Sequence, residues 1–152
     1  MERSATYWRE SVSVKIDGAI LVLKRGDVLQ KVFVVAGQPL EWVETARQTP
    51  VPVLRSAILY CLALNVCSSE EIVDLSRTDP AVRYLCANHA LDWQTVHEFR
   101  RRNAPILERA LALALRDLAR SNSGERLEGV CSVTAQKRLR RAMQEDSIAL
   151  DV

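Results

Sequence analysis

The side chains best suited to chemistry lie between Asp92 and Asn103, DWQTVHEFRRRN, where Gln94, Thr95, His97, Arg101 and Arg102 fall within one short run. These hydrogen-bonding and cationic types can reach phosphate oxygens and base edges in a nucleic-acid groove. At about 100° per residue, a helix puts Trp93, Val96 and Phe99 on one side. Gln94, Glu98 and Arg101 take the opposite side, flanked by Thr95, His97 and Arg102. Arg100 sits at the edge of the apolar side, so its stem is expected to pack and its head to snorkel or pair with an acid. The plainer interpretation of the polar side is a solvated helix face. A second cationic group, Lys137, Arg138, Arg140 and Arg141, surrounds Leu139 and Met143 in an expected last helix from Ala135 to about Glu145, capped by Thr134. It reads as a phosphate contact or as an exposed tail helix.

Local signals position the first group. Asp79-Pro80 is a helix start, with a capping carboxylate followed by a proline whose missing N–H has no helical partner to lose. Asp92 is a second N-cap, and Asn88 between them can adopt the left-handed conformation that ends a helix. The stretch from Asp79 to Asn103 therefore reads as helix, turn, helix. Upstream, about Val53 to Val66 is apolar nearly all round, the mark of a central bundle helix. Ser68-Ser69-Glu70-Glu71 is a capping box for the next helix, with Ile72, Val73 and Leu75 inward.

Three segments carry a resemblance. Ser56-Ala57-Ile58-Leu59-Tyr60-Cys61-Leu62-Ala63-Leu64-Asn65 is an apolar helix, Ser68-Ser69-Glu70-Glu71-Ile72 starts the next, and Asp92 to Asn103 places Thr, an aliphatic, Phe and Arg at fixed offsets. Over residues 56–121 the chain resembles the N-terminal helical, InsH-type domain of insertion-sequence transposases of the DDE class. Ala90-Leu91 stands where that family often has Arg-Pro, a departure that affects the turn. The resemblance implies DNA binding in a mobile-element setting. It contains no catalytic residue.

Other features set the frame. The 152 residues carry a net charge of +2, distributed as −1 over residues 1–76 (8 basic, 9 acidic) and +3 over residues 77–152 (13 basic, 10 acidic). That asymmetry leans toward an anionic partner for the second half. Cys61, Cys67, Cys86 and Cys131 form no C-x-x-C pair and read as reduced core residues of a cytoplasmic protein. A zinc site from Cys86, His89 and His97 matches no recurrent ligand spacing and lacks a fourth ligand. No leader is expected, and no apolar run approaches the roughly 20 residues that span a bilayer.

Residues 1–10 read as polar and loosely held. Val12, Val14 and Ile16 then alternate with polar residues, and Asp17-Gly18 suits a type I′ turn leading to a strand over Ala19 to Leu23. Lys24-Arg25-Gly26-Asp27 reads as another turn and Val28 to Ala36 as a third strand, completing an antiparallel meander. Leu40 to Gln48 is a candidate short helix before Pro50 and Pro52. Pro105 opens the longest helix, to about Arg120, whose Leu107, Leu111, Ala114 and Leu118 form a stripe. That stripe is core or the seam of a homo-oligomer or of a pairing with a full-length transposase. Ser121 to Gly129 reads as a flexible break.

The expected architecture is mainly α: a helical bundle with a helix-turn-helix-like unit, preceded by a three-stranded β-meander. Its segments are 1–48 (meander and connector), 49–121 (helical domain) and 122–152 (link and basic helix). No phosphate loop, nucleophile elbow or zinc-protease motif occurs. The transposases that the chain resembles cleave with three carboxylates holding two metals. Here only Asp151, at the end of a strand-like run Ser147 to Val152, resembles such a residue in position, and a chance aspartate accounts for it as well. The expectation is a non-enzymatic DNA-binding protein without cofactor, or alternatively a protein-interaction module or a transposase remnant.

Overall fold

The computed structural model describes residues 2–44, 49–123 and 128–150. Its centre is the helix that the sequence marks as apolar all round. This helix, α3 (Val51–Ala63), follows an extended Pro50 and buries Leu54 and every residue from Ser56 to Ala63. The other elements are arranged about it: α1 (Glu2–Arg9), β1 (Ser11–Ile16), β2 (Ala19–Lys24), α2 (Arg25–Ala36), α4 (Ser69–Thr78), α5 (Pro80–Leu85), α6 (Trp93–Arg102), α7 (Ala104–Ser123) and α8 (Glu128–Leu150). One buried apolar cluster runs from Val14 to Ala142. Among the described residues no helix is long and apolar enough to cross a membrane.

The hairpin forms as its turn chemistry dictates. Asp17 (φ 35°) and Gly18 (φ 89°) both take the positive φ that a type I′ turn requires. Strands β1 and β2 pair from Ile16↔Ala19 to Ser11↔Lys24. Val14, Ile16, Leu21 and Leu23 face the core.

The sheet has two strands, not three. The stretch expected as a third strand is α2, and Arg25-Gly26-Asp27 is its first turn rather than a loop. Val28, Val32, Val35 and Ala36 are its buried residues, spaced four, three and one apart. That is helical periodicity, and it outweighs the strand preference of valine because burial, not propensity, supplies most helix stability.

Other corrections follow from long-range contacts. The segment expected to be loosely held is tied down at Tyr7, whose hydroxyl donates to Asp79 Oδ1 at 2.8 Å and accepts from the Ala81 N–H at 3.2 Å. Residues 40–44 of the connector are not helical, and 45–48 lie outside the described residues. Residues 38–42 make two successive tight turns, Leu40 N–H to the Gln38 carbonyl at 2.8 Å and Trp42 N–H to the Leu40 carbonyl at 2.9 Å. The Asn103 amide then pairs with both backbone groups of Val43, accepting from its N–H at 2.6 Å and donating to its carbonyl at 3.0 Å. Trp42 stacks on Phe99 at 5.8 Å.

Helix α7 runs into the expected break as far as Ser123, and α8 begins within it at Glu128, with 124–127 outside the described residues. Thr134 is therefore an interior residue of α8, not its cap. Ser147 to Leu150 is helical rather than strand-like, and Asp151 lies outside the described residues. Leu107, Leu111 and Leu118 are buried against the chain's own elements. The stripe is core and is not free to form an oligomer seam.

Candidate nucleic-acid interface

Helix α6 is positioned at both ends by local chemistry. Asp92 caps it, accepting from the Thr95 N–H at 2.8 Å and the Thr95 hydroxyl at 2.7 Å. Before it, Ala87 (φ 49°) and Asn88 (φ 64°) both take left-handed conformations that end α5. At its far end the Asn103 side chain donates to the Phe99 carbonyl at 3.0 Å.

Its buried arc is Thr95, Val96, Phe99 and Arg100, shifted from the expected Trp93, Val96, Phe99 face. Trp93 is instead partly exposed and stacks on the His97 ring at 4.8 Å. Arg100 causes the shift. It is fully buried, and its guanidinium donates to the Cys67 carbonyl, to the Ala142 carbonyl at 3.2 Å and to Asp146 Oδ2 at 2.5 Å. Of the two expectations for its head, pairing with an acid holds and snorkelling does not.

Asp146 is the hub beneath α6. It also accepts from the Ser69 N–H at 3.1 Å and the Ser69 hydroxyl at 2.6 Å, and it meets His97 Nδ1 at 2.9 Å. Burial alone would raise its pKa. The bonds from Ser69 and His97 and the charge of Arg100 outweigh burial and hold the carboxyl below its ordinary value. An ionised carboxylate only accepts, so Nδ1 carries the histidine proton. Ser69 is buried and donates to the carboxylate rather than to the imidazole, so this histidine does not activate it as a nucleophile. The cluster joins α4, α6 and α8.

The sequence-proposed contact residues divide accordingly. Gln94, Arg101 and Arg102 are exposed on α6, with Arg102 3.4 Å from Glu98. Thr95 is 1% exposed, and its hydroxyl is committed to Asp92, so the expectation that it flanks the outer face is corrected. His97 is half-buried and held by Asp146.

On α8, Lys137, Arg140 and Arg141 are exposed. Lys137 lies 3.5 Å from Asp17, and Arg141 lies 2.9 Å from Glu145. Arg138 is buried, correcting its assignment to a phosphate. Its guanidinium donates to the Leu62 and Ala63 carbonyls at 3.0 Å each and to the Lys15 carbonyl. It thereby closes the C-terminus of α3, where unpaired carbonyls and the helix dipole favour a cation, and ties the hairpin to it.

Sequence reasoning missed Asp146 and Asn103. A signal for Asp146 was present: Cys131, Ala135, Leu139, Ala142 and Asp146 share one helical stripe, and a carboxylate on an apolar stripe demands a buried cation. Asn103 had no comparable signal, since its partner is a backbone.

All four cysteines are buried thiols outside any disulfide. Burial pushes the Cys86 thiol up to about 11 and raises Cys61 and Cys67 as well, which opposes thiolate chemistry. Among the described residues, no group of three or more His, Cys, Asp and Glu side chains is placed to hold a metal. Comparison with protein-family models, curated proteins and solved structures yields no match.

Proposed function

We propose that this chain is a DNA-binding module derived from the transposase N-terminal domain that residues 56–121 resemble, occupying DNA without cutting it. The observation that carries the reading is the mounting of α6. Its inner face is locked by Val96, Phe99, Arg100 and Asn103, while Gln94, Arg101 and Arg102 stand in solvent. A rigid helix with a polar, cationic outer surface is what groove recognition needs, because contacts to phosphates set register and contacts to base edges set sequence. The exposed Lys137, Arg140 and Arg141 of α8 add cations for sequence-independent attraction. Thr95 and Arg138 take no part in DNA contact, and His97 acts by fixing the helix.

Titration of a fluorescein-labelled random duplex at about 50 mM salt tests this by anisotropy. Saturable binding that weakens in the Arg101→Ala/Arg102→Ala variant is the expected result. Absence of binding at that salt would overturn the reading.

A further inference from the structure

On another part of the molecule, α2 and α5 form the walls of an open groove of about 1100 Å³, with the first turns of α3 as its floor and Trp8 of α1 also lining it. Gly26, Leu29 and Phe33 of α2 and Gly37, which caps its C-terminus, line it. Their spacing marks one ridge of the helix, and at about 1.5 Å per residue it runs roughly 16 Å, three helical turns. Phe33 on one wall and Tyr84 on the other are 56% and 64% exposed. Large aromatics are uncommon on a surface without a partner, and these two face a shared channel.

Charge decides what the channel would take. Arg55 and Arg83 line it, and no Asp or Glu does. Among the described residues neither guanidinium has an ion-pair partner, unlike Arg25, Arg100, Arg102 and Arg141. Small-molecule sites enclose most of their ligand. This channel is open to solvent rather than enclosed, which suits an occupant that is itself a surface.

We propose that the groove receives an acidic amphipathic helix of a partner protein, about three turns long. Apolar side chains at i, i+3 or i+4, and i+7 meet Leu29, Phe33 and Tyr84, and a carboxylate-bearing flank meets Arg55 and Arg83. None of the groove residues lies on α6 or α8, so the inference stands apart from the DNA reading.

The test selects a displayed library of helical peptides, randomised at every surface position, against the full chain. Selected peptides are then measured by anisotropy on wild type and on the Phe33→Ala, Tyr84→Ala and Arg83→Glu variants. All three positions are exposed, and an unchanged circular dichroism spectrum and urea midpoint verify each fold. The expected winners carry the i, i+3/i+4, i+7 apolar pattern with Asp or Glu beside it and lose at least about tenfold in affinity for each variant. Changing their acid to Lys is expected to restore binding to Arg83→Glu.

Failure to enrich any peptide would overturn the proposal, as would winners that bind the three variants as tightly as wild type. So would saturable binding of dodecanoate in the groove with no peptide selected, which would assign it to a small amphiphile.

Discussion

Replacing Asp146 by alanine is expected to destabilise the fold by about 3 kcal/mol, the lower end of the range for removing one partner of a buried ion pair. The carboxylate accepts from two groups of Ser69, from His97 Nδ1 and from Arg100. Its loss leaves a fully buried guanidinium without an acid. The Cys67 and Ala142 carbonyls still accept from that guanidinium, which places the cost toward the lower end. Against a total stability of about 5–15 kcal/mol, the loss is readily measured. Urea unfolding followed by circular dichroism, with an unchanged m value, gives the difference. The Arg100→Met/Asp146→Ala double variant is expected to recover part of it, because no buried charge then lacks a partner. A cost under about 1 kcal/mol for Asp146→Ala, or strict additivity in the double variant, would refute the reasoning.

Three further outcomes follow from the same geometry. Because the folded state lowers the Asp146 pKa below 3.8, its stabilising contribution is complete above the unfolded value and is lost as pH falls through the folded one. Urea midpoints measured from about pH 5 to pH 2 should therefore decline less steeply in Asp146→Asn than in wild type, and equal slopes would contradict the assignment. Arg138→Met is expected to cost at least about 2 kcal/mol, since bonds from a charged donor to buried carbonyls are removed, whereas Arg140→Met should stay within about 0.5 kcal/mol. Matching losses in the two variants would undo the distinction drawn between them. Gly18→Ala places a Cβ in open space, so its cost is the positive-φ penalty alone, about 1 kcal/mol by thermal unfolding; a neutral substitution would contradict the turn geometry.

Much of the secondary structure was legible because its causes are local. Ser68, Asp79 and Asp92 cap the helices that follow them, each through a backbone N–H two or three residues on. Asp17-Gly18 announces its own turn, and the apolar circumference of α3 announces its burial. Helix α2 was misread because four valines and a phenylalanine suit a strand, and only the spacing of the buried ones separates the two states. The buried ties were less visible. Arg100 meets an acid 46 residues away, and Arg138 meets carbonyls 75 or more residues away. A count of arginines does not distinguish one that crosses the core from one that faces solvent. The candidate interface was thus legible as a helix and a face, while burial removed Thr95 and Arg138 from it.

The most direct test of the DNA-binding reading is the salt dependence of binding, compared between wild type and the Arg101→Ala/Arg102→Ala variant. If both arginines neutralise phosphates, the slope of log affinity against log salt is expected to be smaller in magnitude by about 1.8 in the variant, close to 0.9 for each phosphate no longer neutralised. An unchanged slope would place DNA elsewhere on the molecule and contradict the role assigned to α6.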